Sequence, residues 1–283
     1  MNSDSYFEIG STHMVCQDYA LHGQIDNMVY AIVSDGCSQA PHSEIGAQIM
    51  CHVAQYYINL FYHTGTLAEC SMSTLASLFA NSILTRADEI RKLYPIDKGA
   101  LQATLFMVIN FEQQAPLLLP NVPITRVFSW GDGFIIEKHD AMDGRTIIHE
   151  THFPSGAPIY LVTDQAGYER EIGKIEVVNR IHTIDKKGTR STEETPSSTY
   201  AGFHKEFRLI DHLETLTLCS DGLKSYQDID HKSIDLLTMA PAFVDYKSSN
   251  GVFVQRNMNF MKIANKKLQR THYDDVSTAA ILV

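Results

Sequence analysis

Met28-Val29-Tyr30-Ala31-Ile32-Val33-Ser34-Asp35-Gly36 is the stretch that decides the fold. An apolar, β-rich run stops at an acid and a turn glycine, which reads as a strand with a carboxylate at its end. The pattern returns far along the chain, in Leu216-Thr217-Leu218-Cys219-Ser220-Asp221-Gly222. It returns again in Val127-Phe128-Ser129-Trp130-Gly131-Asp132. Asp274 and Asp275 stand just before a last apolar run, Val276 to Val283. In antiparallel pairing one strand's end lies beside its neighbour's start. Three strand-end acids and one strand-start acid therefore meet at one rim if the strands pair that way. Asp-Gly is also a common turn pair, and Asp143-Gly144 reads as nothing more than a hairpin turn. The repeated Val-Ser-Asp-Gly and Cys-Ser-Asp-Gly flanks set the other two apart.

Working outward, helical spacing predicts a helix over about 43–62, with Ile45, Ile49, Val53, Tyr57 and Leu60 on one face. A second is predicted over about 71–93, with Leu75, Phe79, Ile83, Ile90 and Leu93, before Pro95 and Gly99 break the pattern. Residues 101–110, 126–130, 134–138, 145–150 and 213–219 look extended. A helix over about 252–268 carries Val254, Met258, Met261 and Leu268 on one side. From Gly167 to Phe207 the chain turns polar and reads as a long flap-like loop inserted in a single domain spanning 1–283. The alternating rhythm of a parallel α/β sheet is missing. An α+β fold, largely antiparallel with helices on the sheet faces, fits the pattern.

Composition narrows the function. The 283 residues are 44% hydrophobic and 20% charged, a soluble globular balance. Lys+Arg 23 against Asp+Glu 33 gives a net charge of −10, which argues against nucleic acid as a partner. The apolar runs are too short to span a membrane, and the first ten residues have no basic region leading into an apolar core. Five cysteines, Cys16, Cys37, Cys51, Cys70 and Cys219, form no CxxC pair. Reduced thiols and a cytoplasmic location are expected from them. No zinc spacing appears among the cysteines or the 13 histidines.

Clustered carboxylates repel one another unless a cation neutralises them. An oxygen-only donor set selects Mg²⁺ or Mn²⁺ over Zn²⁺. Two such ions sharing a carboxylate can acidify a water between them, which gives a nucleophile for in-line attack on phosphorus.

The order of these motifs resembles that of the metal-dependent protein phosphatases of type 2C. The resemblance runs from Gly10 to Val283. It opens with Gly10-Ser11-Thr12-His13 and Cys16-Gln17-Asp18-Tyr19-Ala20, and continues through Val33-Ser34-Asp35-Gly36-Cys37-Ser38. Leu101-Gln102-Ala103-Thr104-Leu105 and Trp130-Gly131-Asp132-Gly133 follow. Leu218-Cys219-Ser220-Asp221-Gly222-Leu223 and Asp274-Asp275-Val276-Ser277 complete the series. His13 and Cys37-Ser38 are similar to a bacterial subgroup. The resemblance implies a pair of central antiparallel β-sheets sandwiched by helices on both faces. It implies that Asp35 bridges two Mn²⁺ or Mg²⁺ ions, that the Gly36 carbonyl binds the second, and that Asp221 and Asp274 complete the first. Asp18 is expected near the second ion through water, and Asp132 at a third, weaker one. The flap is expected near the site.

Three departures stand out. His13 occupies the position of the family's phosphate-binding Arg, and so joins the expected catalytic residues. Cys37 replaces a His that follows Asp-Gly, and Gln17 replaces a frequent Glu. Asp164, in Leu161-Val162-Thr163-Asp164, is a weaker candidate. The leading expectation is a serine/threonine phosphatase acting on phosphorylated proteins, opposed by a cognate kinase. The alternative is a weak or inactive regulatory or binding module on the same fold, and a small-molecule phosphatase comes third.

Overall fold

The computed structural model describes residues 2–111, 125–140, 144–154, 158–162, 177–197, 202–208 and 211–283. Its strands in chain order are β1 (Asn2–Glu8), β2 (Asp18–Ile25), β3 (Met28–Asp35), β4 (Leu105–Phe111), β5 (Thr125–Trp130), β6 (Gly133–His139), β7 (Thr146–His152), β8 (Val177–Ile184), β9 (Arg190–Ser197), β10 (Phe203–Phe207), β11 (Leu213–Cys219), β12 (Tyr226–Gln227), β13 (Thr271–His272) and β14 (Val276–Leu282). The long helices are α1 (Ser43–His63), α2 (Met72–Leu93) and α3 (Phe253–Lys267). One sheet has the order β1-β14-β11-β6-β7-β8-β9, the other β10-β5-β4-β3-β2, and β12 pairs with β13. Every pairing is antiparallel.

The period of two along β3 explains the layers. Val29, Ala31 and Val33 point into a core between the sheets, against Leu216, Leu218, Ala279 and Ile281. Met28, Tyr30 and Ile32 point the other way, into a core beneath α1 and α2 with Met50, Ile58, Phe79 and Ile83. On the far side Phe134, Ile136, Val276 and Ala280 meet Phe253, Val254, Met258 and Met261 of α3. Burying each large apolar side chain stabilises the fold by about 1.5–3 kcal/mol. The result is the expected sandwich of two antiparallel sheets between helices.

The helices start and turn for local reasons. Ser71 caps α2 by accepting the Thr74 N–H at 3.3 Å. In α1 the stripe against the sheet is Met50, Val53, Ala54, Ile58 and Phe61, rotated from the expected one. Ile45, Ile49 and Tyr56 instead line a surface groove with Arg86 and Ile90 of α2. Both stripes are apolar, so periodicity alone could not choose between them.

The reading of 167–207 as a flap-like loop needs correction at its described residues. β8 and β9 form a hairpin that extends the seven-stranded sheet, with Asp185 accepting the N–H groups of Lys187 and Thr189 in the turn, at 2.8 and 2.7 Å. β10 is the edge strand of the other sheet, pairing with β5. β9 and β10 are polar because they are edge strands, where side chains meet water, and β8, one strand in from the edge, is mostly half-buried. Asp143 and Asp164 lie outside the described residues.

Candidate active site

The rim is built from backbone pairing. Asp18 faces Asp35 across the β2–β3 ladder. Beyond β3 the chain stays anchored to neighbouring segments: Gly36 N donates to Gln17 O at 3.2 Å and Cys37 N to Gln102 O at 2.8 Å. Thr104 fixes Asp35 from both directions, its hydroxyl accepting the Asp35 N–H at 3.0 Å and its N–H donating to Asp35 O at 2.8 Å. From the other sheet, Ser220 N donates to Ser277 O and Ser277 N to Ser220 Oγ, both at 3.0 Å, which holds the end of β11 beside the start of β14. Gly222 sits where any Cβ would collide with the Asp275 carbonyl, so only glycine lets these segments approach. Gly131, at φ +100°, turns the chain between β5 and β6 against Thr104.

These constraints bring Asp35, Gly36, Asp132, Asp221 and Asp274 to one cavity of about 390 Å³. Gln17, Cys37, Ser38, Gln39, Gln102, Thr104, Pro158 and Tyr160 complete its lining. Asp18 is buried beside Asp35 and does not line the cavity. Asp275 also turns away. Its two oxygens accept the N–H groups of Gly10 at 2.7 Å and Gln17 at 2.6 Å, tying the segment before β2 to β14. His13 lies against these acids rather than in the cavity wall. Its Nδ1 stands 3.0 Å from Asp275 Oδ2, without hydrogen-bond geometry, and its Nε2 stands 3.7 Å from Asp274 Oδ1.

The crowding has a clear electrostatic signature. Burial first, then the charges of Asp18 and Asp221, push the Asp35 carboxyl well above its ordinary range. Burial raises Asp18 to about 7. Burial and then Asp221 raise Asp132 to about 7, and the same two causes raise Asp274. His13 is raised despite its burial, because Asp275, Asp274 and Asp18 surround it with negative charge. All four aspartates resist carrying charge in the absence of a counter-ion. Asp18 Oδ2 is in addition buried with no hydrogen-bond partner among the described residues.

Oxygen donors, mutual repulsion and an orphaned carboxylate oxygen are the chemistry of a hard-cation site. Among the described residues, no three His, Cys, Asp or Glu side chains are already arranged to hold an ion. The donor set fits such a cation in kind, and the carboxylates must close on it. Tyr160, Gln39 and Pro158 also join the site, none of them a residue the sequence singled out as a candidate. Tyr160 had no sequence signal, because a lone Tyr beside apolar residues reads as core.

Residues 10–253 match the family model described as Protein phosphatase 2C. No curated protein matches the chain by sequence. Among solved structures the chain is similar to a mutant bacterial serine phosphatase, with TM-score 0.53 and 11% identity over 100% of this chain and 98% of that one. It is similar to the serine/threonine phosphatase Stp1 from Staphylococcus aureus, with TM-score 0.51 and 11% identity over 100% and 94% of the two chains. It is also similar to the PPM Ser-Thr phosphatase MsPP from Mycobacterium smegmatis, solved with cacodylate, with TM-score 0.50 and 13% identity over 100% and 98%. At such identities these likenesses speak for the fold. The family match, running over most of the chain, goes further: the chain belongs to the protein phosphatase 2C family.

Proposed function

We propose that this protein is a divalent-cation-dependent phosphatase that hydrolyses phosphoserine and phosphothreonine in proteins. The observation that carries the reading is the convergence of Asp35, Asp132, Asp221 and Asp274 on one cavity, from strand ends far apart in sequence. Asp35, Asp221 and Asp274 are the residues that would hold Mn²⁺ or Mg²⁺, with the Gly36 carbonyl beside them. Asp18 stands behind Asp35, and Asp132 offers a further carboxylate. When bound, the cation supplies positive charge that offsets the carboxylates and makes water more acidic. Thr104 keeps Asp35 in place through its hydroxyl and amide, and Asp275 holds the 10–17 segment against the rim. His13 stands behind the rim, its imidazole facing Asp275 and Asp274. The substrate implies a serine/threonine kinase that installs the phosphate. Five free cysteines support a reducing, cytoplasmic setting.

A regulatory module on the same fold is the second reading. It is favoured by the engagement of His13 with Asp274 and Asp275, and by the lack of a preformed three-ligand set among the described residues. Phosphate release from a phosphothreonine peptide separates the two. The enzyme reading expects turnover with Mn²⁺, loss with chelator, and loss of at least about 100-fold in Asp35→Ala. Absence of Mn²⁺-dependent turnover in the folded wild type supports the module instead.

A further inference from the structure

Between Asp245 and Asp274 the chain carries no acidic residue, its longest stretch without one. Six cations fall there, Lys247, Arg256, Lys262, Lys266, Lys267 and Arg270, in a chain whose net charge is −10. The stretch contains α3, which buries Val254, Met258 and Met261 against the sheet. The opposite side of the helix repeats as Arg256, Phe260, Ile263 and Lys267, all exposed. Phe260 and Ile263 are 55% and 58% exposed, and the Lys247 Nζ lies 4.1 Å from the centre of the Phe260 ring. An apolar pair thus sits in the open between cations. Lys266 and Lys267 also offset the dipole at the end of the helix. That effect does not explain Arg256, near the start of α3, or the exposed Phe and Ile. Among the described residues, Lys266, Lys267 and Arg270 pair with no carboxylate.

This face is fastened to the rim of the cavity. Lys262 Nζ pairs with Glu8 Oε2 at 2.8 Å, Glu8 Oε1 lies 3.3 Å from His272 Nε2, and His272 Nδ1 donates to Asp274 O at 2.8 Å. Arg270 precedes Asp274, a lining residue, by four positions, so their Cα atoms lie within about 14 Å of each other. An extended peptide advances about 3.3 Å per residue. Acids about four to eight residues from a phosphorylated residue in the cavity therefore reach Arg270, Lys267 and Lys266. The acidic rim repels the same acids, so the basic face is where they find opposite charge. An anionic membrane fits less well, because a broad surface brought to α3 also meets the acidic rim. A peptide is narrow enough to follow the helix alone.

We propose that the exposed face of α3, with Arg270, is a docking surface for an acidic segment of the phosphoprotein substrate. An apolar residue of that segment seats on Phe260 and Ile263, and its acids meet Lys266, Lys267 and Arg270. This rests on the phosphatase reading of the cavity and adds a substrate class to it: phosphoproteins with an acidic stretch near the modified serine or threonine. The surface acts on substrate capture and leaves the chemistry in the cavity untouched, so it changes KM and spares kcat.

The test uses phosphothreonine peptides at saturating Mn²⁺, with a run of acids and one Leu placed about four to eight residues to either side of the phosphothreonine, and the same peptides with Gln for the acids. In the wild type one acidic peptide should have a KM about tenfold below that of its Gln counterpart, and about 0.5 M NaCl should abolish the difference. Lys266→Glu/Lys267→Glu should remove the advantage, with kcat and the turnover of p-nitrophenyl phosphate changed less than about twofold. Lys266→Gln/Lys267→Gln, gentler on the helix end, should remove about half of it on a logarithmic scale. Phe260→Ala should raise the acidic peptide's KM about threefold. Equal KM for acidic and Gln peptides in the wild type, or the same preference in the variants, would overturn the assignment. So would a lysine-dependent dimer, or lysine-dependent binding to phosphatidylserine vesicles with peptide KM unchanged, since these give the face to a second copy or to a membrane. Fluorescence anisotropy of the unphosphorylated acidic peptide tests docking without turnover: its Kd should weaken about tenfold in Lys266→Glu/Lys267→Glu. A folded wild type that binds this peptide and hydrolyses no phosphate ester overturns the phosphatase reading, whereas one that hydrolyses both peptides alike overturns the docking surface.

Discussion

Asp274 and Asp275 are neighbours in sequence, and their replacement by Ala should have opposite consequences for the fold and the site. Asp275 is 2% exposed and accepts two backbone N–H groups, from Gly10 and Gln17, at 2.7 and 2.6 Å. Removing its carboxylate orphans both donors in a buried place, at about 1–3 kcal/mol each. Relief of its repulsion against Asp18 and Asp274 returns part of that. A net loss of about 3 kcal/mol is expected for Asp275→Ala. The Asp274 side chain is 41% exposed and is itself repelled by Asp221. Among the described residues its carboxylate accepts a local hydrogen bond, from the Asp275 N–H at 2.9 Å. Asp274→Ala should therefore cost less than about 1 kcal/mol. Urea unfolding followed by circular dichroism, with chelator present, reads both values. At a slope of about 3 kcal/mol per molar, Asp275→Ala should unfold about 1 M earlier than the wild type. If the two variants unfold within about 0.2 M of each other, the division into a structural and a site carboxylate is wrong.

The remaining predictions concern pH, the buried ion cluster and the cavity thiol. A carboxyl whose folded value is raised contributes stability below its unfolded value, near about pH 4, and loses it as pH rises through the folded value. Asp18 and Asp132, both raised to about 7 chiefly by burial, set that window, so the Tm of metal-free protein should fall from pH 5 to pH 8. Saturating Mn²⁺ should reverse the slope, and a flat metal-free profile would contradict the crowding. Glu8 and Glu150 work in the other direction. Burial alone would raise them, but hydrogen bonds led by His272 and His182 hold both near about 2, so their contribution disappears only as pH falls below about 4. Glu137, fully buried in β6, accepts from His139, His149 and Lys205 at 3.1, 2.6 and 2.7 Å, and so joins β10 to the opposite sheet. Glu137→Ala should cost about 3–5 kcal/mol in urea unfolding, by leaving His139, His149 and Lys205 without their shared acceptor. Cys37→Ser should keep most of the turnover on a phosphopeptide, because Ser keeps a small polar side chain in the cavity wall. Trapping a phosphocysteine by acid quench would show otherwise.

The rim acids were legible because each ends or begins an apolar strand, and antiparallel pairing brings such positions together. Asp35 and Asp221 even share their flanking residues. What sequence could not give was direction. Asp274 faces the cavity while Asp275 faces two amides, and nothing local to the pair distinguishes them. His13 was placed by resemblance as a phosphate ligand, and in the fold its imidazole stands against Asp274 and Asp275. β1, β9 and β10 escaped notice because sheet-edge strands are polar and lack an apolar alternation, and β8, one strand in, is mostly half-buried. Ser191 to Pro196 are exposed throughout. The α1 face was misjudged because the helix has two apolar stripes, one for the sheet and one for α2. Tyr160 emerged only from the cavity, since the other lining residues come from distant segments.

A crystal grown with Mn²⁺, measured at the manganese absorption edge, tests the central claim most directly. The account predicts anomalous density in the cavity, within coordination distance of Asp35 and of at least one of Asp221 and Asp274, with the carboxylates drawn in around it. A map with Mn²⁺ at saturating concentration and no peak at Asp35 would contradict it.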